Sequence, residues 1–176
     1  MTDYCATHPF LVSEAFMTIW RPANFITVKA LALIWQDDVL LLTEIYDDHG
    51  NVKGMRPLGG TVEFGEAWRD TLQREFLEEL GARISLGSDH FVLENIYEHY
   101  GQTGHEIVFL CHAHFSDGRF YRQDAIPFLE HDETECIARW MSVAELKAKQ
   151  IELYPEGLME RLTQPVAGSA VNRRYS

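Results

Sequence analysis

Glu66, Arg74, Glu75, Glu78 and Glu79 crowd into one short stretch of a chain whose formal net charge is already −12. Carboxylates this close repel one another and resist ionisation. They persist together where something positive sits between them. Arg74 alone cannot neutralise four carboxylates, whereas a divalent cation can. Mg2+ and Mn2+ prefer oxygen donors, and Mg2+ is typically held by one or two carboxylates together with water and substrate phosphates. Gly59 and Gly60 stand just ahead of these acids. Glycine permits a close approach of backbone to ligand, so a carbonyl of this turn offers one more oxygen. The residue types thus predict a Mg2+ site, with Mn2+ as a substitute.

The element that must carry these acids is a helix over residues 67–80. The segment has no Pro or Gly inside it, and Glu, Leu, Gln and Arg fill its second half. Gly81 is placed to end it in the C′ position. At about 100° per residue, Trp68, Leu72, Phe76 and Leu80 form an apolar stripe, and Glu75, Glu78 and Glu79 converge beside it. Glu79 is expected nearest the apolar face, and so most in need of a partner. Arg74 is spaced to pair with Glu78, and Glu66 sits where the positive end of the helix dipole favours an anion. A glutamate-rich helix by itself is ordinarily a solvated face. The order of the residues adds what composition lacks.

From Gly60 to Ala82 the chain resembles the Nudix box, the signature of the Nudix hydrolases. That pattern is a glycine, five residues, a glutamate, seven residues, then Arg-Glu, a bulky apolar residue, any residue, Glu-Glu, any residue, glycine and a bulky apolar residue. Gly60, Glu66, Arg74, Glu75, Glu78, Glu79 and Gly81 match its glycine and polar positions. Phe76 is aromatic where an aliphatic is usual, and Ala82 is small where a bulky residue is preferred. Pro57-Leu58-Gly59-Gly60 replaces the frequent Pro-Gly-Gly. The resemblance implies an α+β fold with a mixed β-sheet packed between helices. It also implies Mg2+ bound by Glu75, Glu78 and Glu79, with the Gly59 carbonyl as a further ligand. Glu66 would anchor Arg74, and Arg74 would orient the acids. The implied reaction is attack by water on a diphosphate linkage in a nucleoside diphosphate derivative. The general base is either a box acid, Glu75 or Glu79, or a later loop glutamate. Among Glu130, Asp132, Glu133 and Glu135 of "LEHDETEC", Glu133 is favoured. A catalytically silent nucleotide-sensing or regulatory domain is the alternative; such a domain is expected to lose a box acid or gain a DNA-binding module. An isomerase acting on a small diphosphate would call on a cysteine, and Cys111 sits mid-strand.

The 176 residues suffice for one domain with a hydrophobic core. The acidic balance opposes binding to nucleic-acid duplexes and anionic membranes. It also opposes a phosphorylated substrate unless cations screen the site. Three scattered cysteines, no basic segment followed by an apolar core at the start and no long apolar run predict a reduced, cytoplasmic setting. A homodimer fits the resemblance.

Strands are expected at "FITVKALALIW" and "VLLLTEIY", followed by a loop at "DDHGNVKG". "HFVLENIYEHY" and "HEIVFLCHAHF" predict a hairpin with a four- to five-residue loop. Residues 116–135 read as a surface loop and "CIARWM" as a last strand. Ser142 caps a helix with Glu145 three residues on, and "YPEGLMERL" suggests another. Residues 1–24 form an extension of unassigned structure, and the tail from Thr163 is expected to be loose. Arg56, beside the glycine turn, is a candidate phosphate contact along with Gly59 and Gly60. His112 and His114 share a strand face that reads as the wet side of a sheet. His99, Tyr100 and His105 flank the hairpin loop, and Tyr46, Tyr97 and Phe128 are aromatic candidates for a base, though packing accounts for each.

Overall fold

The computed structural model describes residues 21–47, 49–99, 101–130 and 134–164. Strands β1 (Thr27–Gln36) and β2 (Val39–Tyr46) are followed by β3 (Val52–Pro57), β4 (Gly59–Thr61) and helix α1 (Trp68–Leu80). Then come β5 (Ile84–His99), β6 (Gln102–Phe115), a 3-10 turn at Phe120–Arg122, β7 (Ala125–Leu129) and β8 (Glu135–Ser142). Helix α2 (Val143–Lys149), β9 (Glu152–Leu153) and α3 (Leu158–Thr163) close the described chain.

The sheet runs β5-β6-β1-β2-β3-β9, with β4 beside β1 and β8 carrying β7 beside β2. β1 with β6 and β3 with β9 pair in parallel, and the other pairings are antiparallel. Strand alternation divides β1 between two cores. Ala30, Ala32 and Ile34 face Leu72 and Phe76 of α1. Leu31 and Leu33 face the opposite way, with Leu146 and Leu158 from α2 and α3. Because both faces are covered, β1 is nearly all apolar. The result is the expected mixed sheet between helices.

Several local expectations need correction. β3 begins at Val52, inside the segment read as a loop, because Met55 and Pro57 reach the core on its far half. The β5–β6 pairing continues to His99 opposite Gln102, so only two residues separate the arms. The stretch read as a surface loop contains β7, whose Ile126 and Phe128 are buried while Pro127 and Leu129 face out. Period-two alternation in so short a segment was masked by the polar residues around it. Helix α3 extends through Thr163, where the tail was expected to begin. Ser142 does cap α2, accepting a hydrogen bond from the Glu145 N–H at 3.0 Å. Of the unassigned extension, residues 1–20 lie outside the described residues, as do Tyr100 and residues 165–176.

The departures from the box pattern have packing reasons. Leu58 is buried under α1 while its carbonyl accepts from the Ala32 N–H at 2.8 Å, so the extra residue fills the core. Phe76 meets Phe115 edge-on at 5.9 Å, and Phe115 stacks on Phe120 at 4.5 Å. An aromatic thus suits an aromatic cluster. Among the described residues, no helix is long and apolar enough to cross a membrane.

Candidate active site

Helix α1 is fixed at both ends. Near its start, Trp68 stacks on Phe109 at 5.3 Å, and Arg69 donates to the carbonyls of Gly87 and Ser88 at 2.9 and 2.8 Å. Those carbonyls lie where the β5–β6 register shifts, so the guanidinium satisfies groups the irregular pairing leaves open. At its end Gly81 adopts a left-handed conformation with φ 61°. Its N–H bonds Leu77, and the next N–H, from Ala82, bonds Phe76. This is the glycine-terminated end anticipated from the sequence.

Between these anchors α1 lies over β4, and there the two glycines act. Gly60 pairs with Ala30. A Cβ at Gly60 would lie 1.9 Å from a Glu75 carboxylate oxygen. The carboxylate therefore occupies the place of the missing side chain, and Glu75 is 8% exposed. Gly59 has φ 139°, and a Cβ there would lie 2.1 Å from the Ala30 carbonyl oxygen. Backbone, not a side chain, bars any larger residue. Glu79 is partly desolvated, as expected, yet it is not the most buried acid. Glu75 is the buried acid because the Gly60 gap admits it, and Glu79 is half-buried at the next turn.

Arg74 gathers the acids. Its Nε donates to Glu66 Oε1 at 2.9 Å and Nη2 to Glu66 Oε2 at 3.1 Å, a two-pronged contact. Nη1 reaches Glu75 at 3.0 Å and Glu78 at 3.1 Å, and Nη2 also reaches the Thr61 carbonyl at 3.3 Å. Buried Thr71 donates its hydroxyl to Glu66 at 2.7 Å. Arg74 above all, then Thr71, holds the Glu66 carboxyl down at about 2. Arg74 is pushed up in turn, chiefly by Glu66.

Glu79 is different. Burial, then the charges of Glu75 and Glu130, push its carboxyl up to about 8, with Arg56 opposing. Arg56 links this corner to the β7–β8 connection. It donates to the Gly59 carbonyl at 3.3 Å and to Glu130 at 2.8 Å. Of the loop acids, Glu130 is thus drawn to the site, and Glu135 opens β8 exposed. Glu133 and Asp132 lie outside the described residues.

A divalent cation fits the donor chemistry here. Glu75, Glu79 and Glu130 offer hard oxygens, and burial first, then their mutual repulsion, raises the Glu79 carboxyl. Among the described residues, the acids are not gathered into a ready-made metal cage. Glu75 and Glu78 turn toward Arg74, and Arg56 covers the Gly59 carbonyl. A surface depression of about 460 Å3 adjoins the site through Arg74 and Glu78. A second, of about 380 Å3, lies at the β1–β2 turn, away from the acids.

The other candidates fall elsewhere. His112 and His114 are exposed at the end of β6. His105 meets Glu94 at 3.1 Å. Phe128 is core, and Tyr46 bonds Glu44. Tyr97 lies against Gly104 and donates to Glu106 at 3.2 Å. Cys111 is fully buried, and burial raises its thiol. Sequence reasoning passed over Thr61, Thr71 and Lys29. Lys29 alone left a signal, as the one charged residue in β1, just ahead of its aliphatic run.

Comparison with known proteins agrees with this construction. Residues 26–162 match the NUDIX domain family. The E. coli ORF135 protein shares 25% identity, with a TM-score of 0.52 over 82% of this chain and 94% of that one. A NUDIX hydrolase from Nitrosomonas europaea shares 21%, with a TM-score of 0.52 over 85% and 100%. A NUDIX-family hydrolase from Clostridium perfringens shares 18%, with a TM-score of 0.50 over 78% and 93%. No functionally curated protein matches in sequence. With its glycine turn, its acid-bearing helix and a family match over most of its length, the chain belongs to the NUDIX domain family.

Proposed function

We propose that this chain hydrolyses a diphosphate linkage in a nucleoside diphosphate derivative, by attack of water on phosphorus, with Mg2+ or Mn2+ as cofactor. One observation carries the reading: Glu79 lies desolvated beside Glu75 and Glu130, in a cluster whose negative charge its arginines do not balance. Glu75, Glu78, Glu79 and the Gly59 carbonyl would hold the metal. When bound, it would cancel substrate charge and make water a stronger nucleophile.

The chain's own residues set up the rest. Gly60 seats Glu75 by leaving space for its carboxylate. Thr71 steadies Glu66, and Glu66 holds the Arg74 fork, which aims Glu75 and Glu78 along one edge. Glu79 or Glu75 receives the proton of the attacking water at a carboxylate oxygen; Glu133 is the competing base. Arg56, at the mouth of the glycine turn, contributes a phosphate contact with the Gly59–Gly60 backbone. The acidic surface disfavours duplex nucleic acid, and a cytoplasmic setting and a homodimer complete the proposal.

The Arg74 contacts also favour a second reading, a catalytically silent nucleotide-sensing domain in which Arg74 permanently occupies Glu75 and Glu78. One screen separates the two. Nucleoside triphosphates, ADP-ribose, nucleotide sugars, dinucleoside polyphosphates and NADH are incubated with Mg2+ or Mn2+, and phosphate or nucleoside monophosphate release is measured. Metal-dependent release supports the hydrolase. Nucleotide binding without release from any substrate supports the silent domain.

A further inference from the structure

We infer that Lys29 forms, with Arg56, an anion subsite that receives the substrate phosphoryl group not engaged by the acids of α1. The inference rests on the diphosphate-hydrolase reading and names a residue that reading does not use. Lys29 is half-buried at the third position of β1, between the aliphatic Val28 and Ala30. Register places it directly opposite Thr61 of β4. Its ammonium donates to the Thr61 hydroxyl at 2.7 Å. An ammonium has three donors, and a neutral hydroxyl cannot compensate its charge. Among the described residues no carboxylate lies within ion-pair distance of it.

The nearby acids are already committed. Glu106 accepts from Asn95 and Tyr97, each at 3.2 Å, and Glu130 accepts from Arg56 at 2.8 Å. Burial, then the charge of Arg56, lowers the Lys29 ammonium, with Glu106, Glu130 and Glu75 opposing. A lysine that merely covers apolar surface keeps its head in water. Lys29 instead gives its head to the Thr61 hydroxyl on β4, within electrostatic reach of Arg56. That arrangement is unfavourable until an anion comes between the two, when repulsion becomes attraction.

Thr61 ties this pair to the chemistry. Its hydroxyl accepts from Lys29 and its carbonyl from Arg74. Thr61 directly follows Gly60, which seats Glu75, so a phosphoryl group at Lys29 adjoins β4 beside that residue, on the face of β1 that carries Leu31. In a chain of net charge −12, two cations placed at this rim offer what a diphosphate needs to enter.

The test uses the full chain and inorganic pyrophosphate, with and without Mg2+. Titration calorimetry compares the unmutated protein with Lys29→Met and Lys29→Arg. In parallel, the unmutated protein is lightly acetylated with and without pyrophosphate, and modification at Lys29 is followed by mass spectrometry. We expect Lys29→Met to weaken pyrophosphate binding about tenfold or more, and Lys29→Arg to recover part of the loss. Pyrophosphate should slow acetylation of Lys29 and leave that of Lys147 unchanged. Equal affinity in a folded Lys29→Met, or acetylation of Lys29 indifferent to pyrophosphate, overturns the subsite. Should Lys29→Met fail to fold, the acetylation experiment decides alone. A protein that hydrolyses nothing in the screen, yet whose Lys29 is shielded, refutes the hydrolase and leaves the subsite standing.

Discussion

Replacing Gly60 by Ala tests the way β4 seats the catalytic acid. The backbone at Gly60 lies outside the left-handed region, so alanine meets no conformational penalty there. The nearest conflict is with Glu75, whose carboxyl atoms lie 1.9, 2.1 and 2.6 Å from the added Cβ. The flexible end of a side chain must withdraw, taking a nearly buried carboxylate from its seat beside Arg74. Overpacking of this kind costs about 1–3 kcal/mol. For a domain of this size that corresponds to a fall of roughly 2–12 °C in Tm. Catalysis should suffer more, since displacing a positioned group by about 1 Å costs on the order of 100-fold in rate. The decisive assay is a double-mutant cycle by urea denaturation. In a Glu75→Ala background the new methyl group enters vacated space, so most of the stability loss should disappear, a coupling of about 1–2 kcal/mol. Equal destabilisation by Gly60→Ala in both backgrounds would refute the seating of Glu75 over Gly60.

Gly59→Ala should behave otherwise: its Cβ would meet the Ala30 carbonyl, so Glu75→Ala should bring no rescue when Tm is compared. Glu78→Gln and Glu79→Gln should each abolish Mg2+-dependent turnover while circular dichroism and Tm show an intact fold; full activity in both would remove the metal role. Arg74→Lys keeps the charge but loses the fork shared by Glu66, Glu75 and Glu78, and about 1–2 kcal/mol of stability should go with it in urea titration. The Glu66 carboxyl is held at about 2 against an ordinary value of 4.5, so its stabilising contribution is complete above 4.5 and lost as pH falls through about 2. Urea titration of Glu66→Gln should therefore show a deficit at pH 7 that vanishes near pH 2.

The helix and its acids were legible because each signal was local. A four-residue apolar stripe, Gly81 at the stop and glutamates on the adjoining edge all follow from helix geometry. β1 and β2 were legible from their aliphatic runs, residues 30–34 and 39–42. β7 was hidden because its two buried residues, Ile126 and Phe128, gain meaning only once β8 lies beside them. The order of burial among the acids was equally non-local. Glu75 goes under because Gly60, on another element, leaves room, which angular position on the helix cannot express. Lys29 was overlooked for the same reason, since its partner Thr61 comes from across a strand pairing. The Arg56–Glu130 pair depends on a chain reversal that brings β7 to β3's end, so no local spacing announces it.

The most direct measurement is anomalous diffraction from crystals soaked in Mn2+ with a nonhydrolysable diphosphate analogue. The account predicts a manganese peak within direct coordination distance of carboxylate oxygens of Glu75 and Glu79, with analogue phosphate oxygens completing its coordination. An ordered analogue with no metal at those carboxylates, Arg74 and Arg56 still holding the contacts they make now, would contradict it.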